Sequence, residues 1–109
     1  MSYTNRIAWE LLRSIDSSTL TGSYQALGGP LLFPSYIAKL VNNSTVLVTV
    51  SIDGTHDYDI APANSFFLYD EAKYSGPALQ FLPAGTQIFV KGSAGTGSIY
   101  FVSQYIVQS

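Results

Sequence analysis

Between residues 45 and 52 the chain alternates strictly, with Val46, Val48, Val50 and Ile52 on one side and Thr45, Leu47, Thr49 and Ser51 on the other. A period of two is what a strand needs and what a helix, with its stripe every three to four residues, cannot use. The preceding run, residues 36–41, joins it through Asn42, Asn43 and Ser44, residue types that bond their own backbone in turns. This pattern predicts an antiparallel hairpin. Asp53 and Gly54 mark the next turn, and a polar stretch through Asp59 leads into residues 60–64. Residues 65–69 read as a short strand ended by Asp70 and Glu71. The proline-interrupted residues 74–83 read as irregular, with a short strand at 78–82.

Residues 86–91 and 98–107 flank a Gly/Ser/Ala/Thr stretch and predict a last hairpin. The final strand is apolar on both faces: Ile99, Phe101, Tyr105 and Val107 on one, Tyr100, Val102 and Ile106 on the other. Strands of that kind are covered on both sides, by a second sheet or by a neighbouring subunit. Residues 7–15 fit a short helix, or a strand carrying Ile7, Trp9, Leu11, Arg13 and Ile15 on one face; the β-branched and turn residues that follow favour the strand. Residues 1–6 read as an extended N-terminal arm, with the β-domain at 7–109. With 14% aromatic residues and 9 glycines and 5 prolines spaced as punctuation, the chain is expected to be all-β. The predicted fold is a single-domain antiparallel β-sandwich or jelly-roll-like barrel with Val46, Val48, Val50, Phe67, Ile88, Val90, Phe101 and Val102 in its core.

Only 11% of the 109 residues are charged and the net charge is -2, so there is no basic footprint for phosphate contacts and no nucleic-acid partner is expected. No run approaches the roughly 20 apolar residues of a membrane helix, so no membrane partner is expected. The N-terminal residues lack a basic, then apolar, secretory pattern, which predicts synthesis in the cytoplasm and makes the Asn-x-Ser/Thr matches at Asn42 and Asn43 turn chemistry. The absence of cysteine excludes disulfides, thiolate zinc sites and a cysteine nucleophile. A small domain this poor in charge covers itself with neutral polar residues or with another subunit.

Four groups of residues are candidates for chemistry. Residues 92–98 are glycine-rich, but Ser98 stands where a phosphate loop needs lysine, and a strand follows; the glycines read as positive-φ residues of a flexible hairpin turn. Asp53, Asp57 and Asp59 cluster with His56 as potential cation ligands, in an order unlike an EF-hand loop; the alternative is an Asp-Gly turn with solubilising acids. His56 is the sole conventional general base, and neither a nucleophile elbow nor a carboxylate pair beyond the strand-ending Asp70 and Glu71 accompanies it, so no enzyme, metal or cofactor is expected. Trp9, Tyr24, Tyr36, Tyr58, Tyr74 and Tyr105 offer material for a glycan or peptide platform but read first as core or interface aromatics.

The spacing Asn42, Ser44, Val46, Val48, Val50, Ser51, Ile52, Asp53, Gly54, followed by the run Leu82-Pro83-Ala84-Gly85-Thr86-Gln87, resembles a family of small tailed-bacteriophage virion proteins. The likeness extends from about Leu12 through 21–24 and 28–34 to the end of the chain and departs at residues 66–74. It implies a virion structural protein, made in the host cytoplasm; the low charge and two-sided apolar strands add a homo-oligomer, and the extended 1–6 arm and flexible 92–98 turn, able to interlock ring neighbours, favour assembly at the neck or tail against portal, adaptor, tail or capsid subunits. Capsid decoration, or a host-glycan or protein binding module, stands as the alternative. The resemblance gives both motifs structural roles: a hairpin turn after a buried strand at Asp53 and Gly54, and a turn leading into strand 86–91.

Overall fold

Strands dominate because the alternating runs have one face to hide, and two such faces hide each other. The computed structural model describes residues 5–35, 37–70 and 82–108, and the side chains among them except at 5, 6, 67–70 and 106–108. Nine strands are formed among these residues: β1 Asn5–Trp9, β2 Arg13–Asp16, β3 Gln25–Ala26, β4 Ile37–Ser44, β5 Val48–Ser51, β6 Asp59–Ala61, β7 Ser65–Asp70, β8 Phe89–Lys91 and β9 Gly97–Gln108. No α-helix occurs among them; a single 3-10 turn spans Ser17–Thr19, capped by the Asp16 carboxylate accepting from the Ser18 N–H at 2.9 Å.

The strands make two antiparallel sheets, one ordered β1-β9-β4-β7 with β2 also on β9, the other β3-β8-β5-β6. The architecture is therefore a β-sandwich. Its core is Leu20, Leu27, Leu31, Ala38, Leu40, Val48, Val50, Ala61, Leu82, Ile88, Val90, Ile99 and Phe101, with Ile15 and Val46 packed against it. Along β4 the burial alternates residue by residue, Ala38, Leu40, Asn42 and Ser44 facing in. Of the expected core residues, Val48, Val50, Ile88, Val90 and Phe101 are buried and Val46 is partly so. Val102 is not in the core: β9 alternates, and Val102 pairs with Lys39 on the outer face while Phe101 pairs with the buried Leu40. Phe67 stands opposite Leu40 in register, and its side chain lies outside the described residues. Ile52 is exposed because the strand ends at Ser51.

Two predicted hairpins are corrected. β4 and β5 belong to different sheets, and so do β8 and β9, so each connection crosses the sandwich. The Asn42 to Ser44 segment is strand, paired with residues 97–99 of β9, because Asn42 spends its side chain on cross-sheet bonds. Its amide nitrogen lies 2.8 Å from the carbonyls of Val46 and Ala61 and 3.1 Å from that of Pro62, tying β4 to the facing β6. The β5–β6 hairpin around Asp53 and Gly54 is formed as expected. The 78–82 strand prediction falls mostly outside the described residues, although Leu82 bridges to Ser35. At the other end, strand pairing begins at Asn5, inside the segment read as an arm; residues 1–4 lie outside the description.

Candidate functional site

The β1–β2 edge carries a feature that regular pairing cannot produce. β1 pairs with β9 as Trp9↔Gln104, and the Glu10 N–H continues the ladder to the Ser103 carbonyl at 3.0 Å. β2 resumes as Arg13↔Phe101. Two residues, Leu11 and Leu12, therefore stand against the single step Val102 on β9: a one-residue β-bulge, which re-aims side chains and interrupts an edge.

The bulge changes which residues share a face. In an unbroken strand Glu10 and Arg13, three apart, point to opposite sides; here both turn inward, and Arg13 Nη2 lies 2.8 Å from Glu10 Oε1. Their side chains are 1% and 9% exposed. The facing 28–33 segment satisfies both charges. Arg13 donates to the carbonyls of Gly29 (2.8 Å) and Pro30 (2.9 Å), while the Glu10 carboxylate accepts from the backbone N–H groups of Leu32 (3.1 Å) and Phe33 (3.0 Å). Gly28, at φ +70, is required here, since a Cβ would sit 2.6 Å from Arg13 Cγ. Burial alone would raise the Glu10 pKa, but the Arg13 guanidinium and the two N–H donors outweigh it and hold the carboxyl below its ordinary value.

The clamp leaves apolar side chains outside. Leu11 is 91% exposed, Leu32 73% and Trp9 63%, with Leu12 and Phe33 also exposed. Phe33 stacks on Tyr105, ring centroids 4.0 Å apart. Between the bulge and the 28–32 loop lies an open depression of about 520 Å³, walled by Leu12, Arg13, Gly28, Pro30 and Leu32 with Leu11 on its rim.

The residues weighed for chemistry lie elsewhere, in bonded turns. Asp53 organises its loop: Oδ1 accepts from Ser51 Oγ (2.9 Å) and from the N–H groups of Thr55 (2.8 Å) and His56 (2.9 Å), while Oδ2 accepts from the Tyr58 hydroxyl (2.9 Å) and lies 3.0 Å from His56 Nδ1. The His56 and Thr55 N–H groups, followed by the His56 ring and Ser51, hold its carboxyl far below the usual range. Asp57 accepts from the Tyr24 hydroxyl and pairs with Lys91 at 3.1 Å, and Lys91 Nζ sits 4.6 Å from the Tyr24 ring centroid. Burial, together with the neighbouring Asp57, pushes the Tyr24 phenol up to about 12. Asp59 accepts from the Ile60 N–H. The three aspartates are thus committed to separate donors, and no group of three metal-ligating side chains converges among the described residues.

Residues 92–98 are tied down rather than free. The Gly95 N–H donates to the Ser17 carbonyl (3.1 Å), Thr96 N–H to Thr45 Oγ1 (3.0 Å), and Gly97, at φ +104, packs on the Asn43 carbonyl where a Cβ could not fit. The aromatics are scattered. Trp9 faces outward opposite Gln104, Tyr105 pairs with Ala8 on the other side of that sheet, and Tyr24 and Tyr58 lie by the aspartate loop; Tyr36 and Tyr74 fall outside the described residues. The sequence singled out none of the clamp. In the sequence Arg13 reads only as one residue of a strand face with Ile7, Trp9, Leu11 and Ile15, and Glu10 carries no reading; the one signal present is an acid and a base three apart within an otherwise apolar strand. No protein-family model, curated protein or solved structure matches this chain.

Proposed function

We propose that this chain is a structural subunit of a tailed-bacteriophage particle, present in several symmetric copies at the neck or tail and acting through its surfaces rather than through catalysis. The sequence likeness from Leu12 onward supports the virion assignment. The observation that carries the assembly reading is the outer face of the five-stranded sheet. A solvated antiparallel sheet alternates apolar-in with polar-out. Here the outward residues include the cross-strand row Tyr100, Val41 and Phe66, with Val102, Ile37 and Trp9 beside it. Phe66 and Trp9 are exposed and the others half-buried.

Lys39 lies among them, paired in register with Val102. An apolar sheet face that carries one ammonium fits a different patch, one that offers acceptors to it. Contacts between unlike patches make rings where the rotation between neighbours closes, the geometry of a neck or tail.

Electron microscopy of the intact particle, with copy number from quantitative gels, tests the proposal. Copies in ring-like numbers at the neck or tail are expected. Hundreds of copies over the shell would instead make the protein a decoration subunit. Absence from particles together with measurable glycan binding by the purified chain would make it a binding module.

A further inference from the structure

The bulged edge is a second surface, and its chemistry differs from that of the sheet face. It holds both a projection and a recess: Leu11 stands almost fully exposed on the rim of the depression walled by Leu12, Arg13, Pro30 and Leu32. A two-fold contact uses one patch twice, so that patch must contain knob and socket together. This one does.

Charge points the same way. The ionic groups under the patch, Glu10 and Arg13, are paired with each other at 2.8 Å and bonded to the backbone of residues 29–33. Two copies can close over them without opposing like charges. Area is also adequate. From Leu11 and Leu12 on the bulge to Leu32 and Phe33, four large apolar side chains expose on the order of 500 Å². A standard interface buries about 800 Å² per partner, roughly two-thirds of it apolar in homodimers, which is the same quantity. The bulge also rules out the other common way for an edge to pair, because the ladder breaks at Leu11 and Leu12 and a continuous strand cannot be added there.

We propose that two copies of this chain meet about a two-fold axis through the bulged β1–β2 edge, Leu11 of each entering the recess beside Arg13 and Pro30 of the other. This deepens the assembly reading above, on which it rests for the identity of the partner. It makes a dimer the unit from which larger rings are built.

Sedimentation velocity of the full chain over a hundredfold concentration range reads the dimer directly. The unaltered chain is expected to dimerise. Leu11→Asp and Leu32→Asp, both at exposed positions, should keep the strand-type circular dichroism and weaken dimerisation by about thirtyfold or more, the effect of losing a central anchor. Leu11→Met should keep it, and Ile60→Asp, exposed on the opposite sheet, should leave it unchanged. A chain that sediments as a monomer throughout overturns the two-fold contact even if microscopy finds the protein at the neck. A dimer indifferent to both aspartates overturns this interface and leaves the virion reading standing. A dimer sensitive to both, from a protein absent from particles, supports the interface and removes the virion reading.

Discussion

At Phe101 and Val102 one step along the chain separates the core from the surface. Phe101 is buried opposite Leu40, and Val102 stands outside opposite Lys39. Phe101→Ala is expected to lower unfolding free energy by about 3 to 5 kcal/mol, the usual cost of emptying a packed aromatic site, whereas Val102→Ala should cost under about 1 kcal/mol. Urea denaturation of the two variants gives the comparison, and equal losses would mean that β9 is turned differently. The residue type could not have made this distinction, since both are good strand formers; the partner across the ladder makes it. The serines carry a related lesson. Ser17, Ser35, Ser44, Ser51 and Ser103 are buried, where composition had assigned such residues to the surface. Each small hydroxyl fits between sheets once it has a partner, as Ser103 donates to Ser35 at 3.1 Å and Ser17 to the Gly97 carbonyl at 2.9 Å.

Among the elements, the edge strand shows how a single inserted residue redirects a whole segment. The strand reading of residues 7–15 was right in kind and wrong in parity. Trp9 faces outward, whereas Arg13 and Ile15 face the core side, because the bulge shifts the alternation by one. Periodicity in sequence cannot reveal a bulge, which is decided by the partner strand's register. Deleting Leu11 should make the edge regular: Glu10 would stay opposite Ser103, Leu12 would take the place opposite Val102, and Arg13 would keep Phe101. The variant is expected to fold with an unchanged strand signal and to lose the exposed knob. Its backbone edge would become continuous, so it should aggregate more readily at high concentration, as light scattering would register. The missed crossovers have the same origin. Asn42, Asn43 and Ser44 are turn formers by type, but the three carbonyls around the Asn42 amide hold them in β4.

For the molecule as a whole, acid is the condition under which this architecture is most vulnerable. Glu10, Asp16, Asp53 and Asp57 all have carboxyls held below their ordinary values by donors that exist only in the folded chain. A depressed folded-state pKa contributes stability that is complete above the unfolded value, near 4, and is lost as pH falls through the folded one. Unfolding free energy from urea titrations should therefore be flat from neutrality to about pH 5 and decline below it. Glu10→Gln removes one titrating group and should flatten part of that decline. Its stability at pH 7 should fall by on the order of 3 kcal/mol, because Arg13 stays buried without its counter-charge. A slope unchanged by Glu10→Gln would show that the clamp does not contribute to acid sensitivity. The sandwich, its core strands and the Asp53 turn were legible from alternation and turn chemistry. The surfaces were not, because they depend on register and on which sheet each strand joins.

The pairing of Asn5 with Gln108 has a practical meaning. Polypeptide entering β1 and polypeptide leaving β9 pass side by side at one corner of the five-stranded sheet. A fluorescent or affinity domain fused ahead of β1 or behind β9 would project from the same place. Joining those two ends with a short linker and reopening the backbone in the 52–58 loop would reorder the gene without disturbing a single sheet pairing.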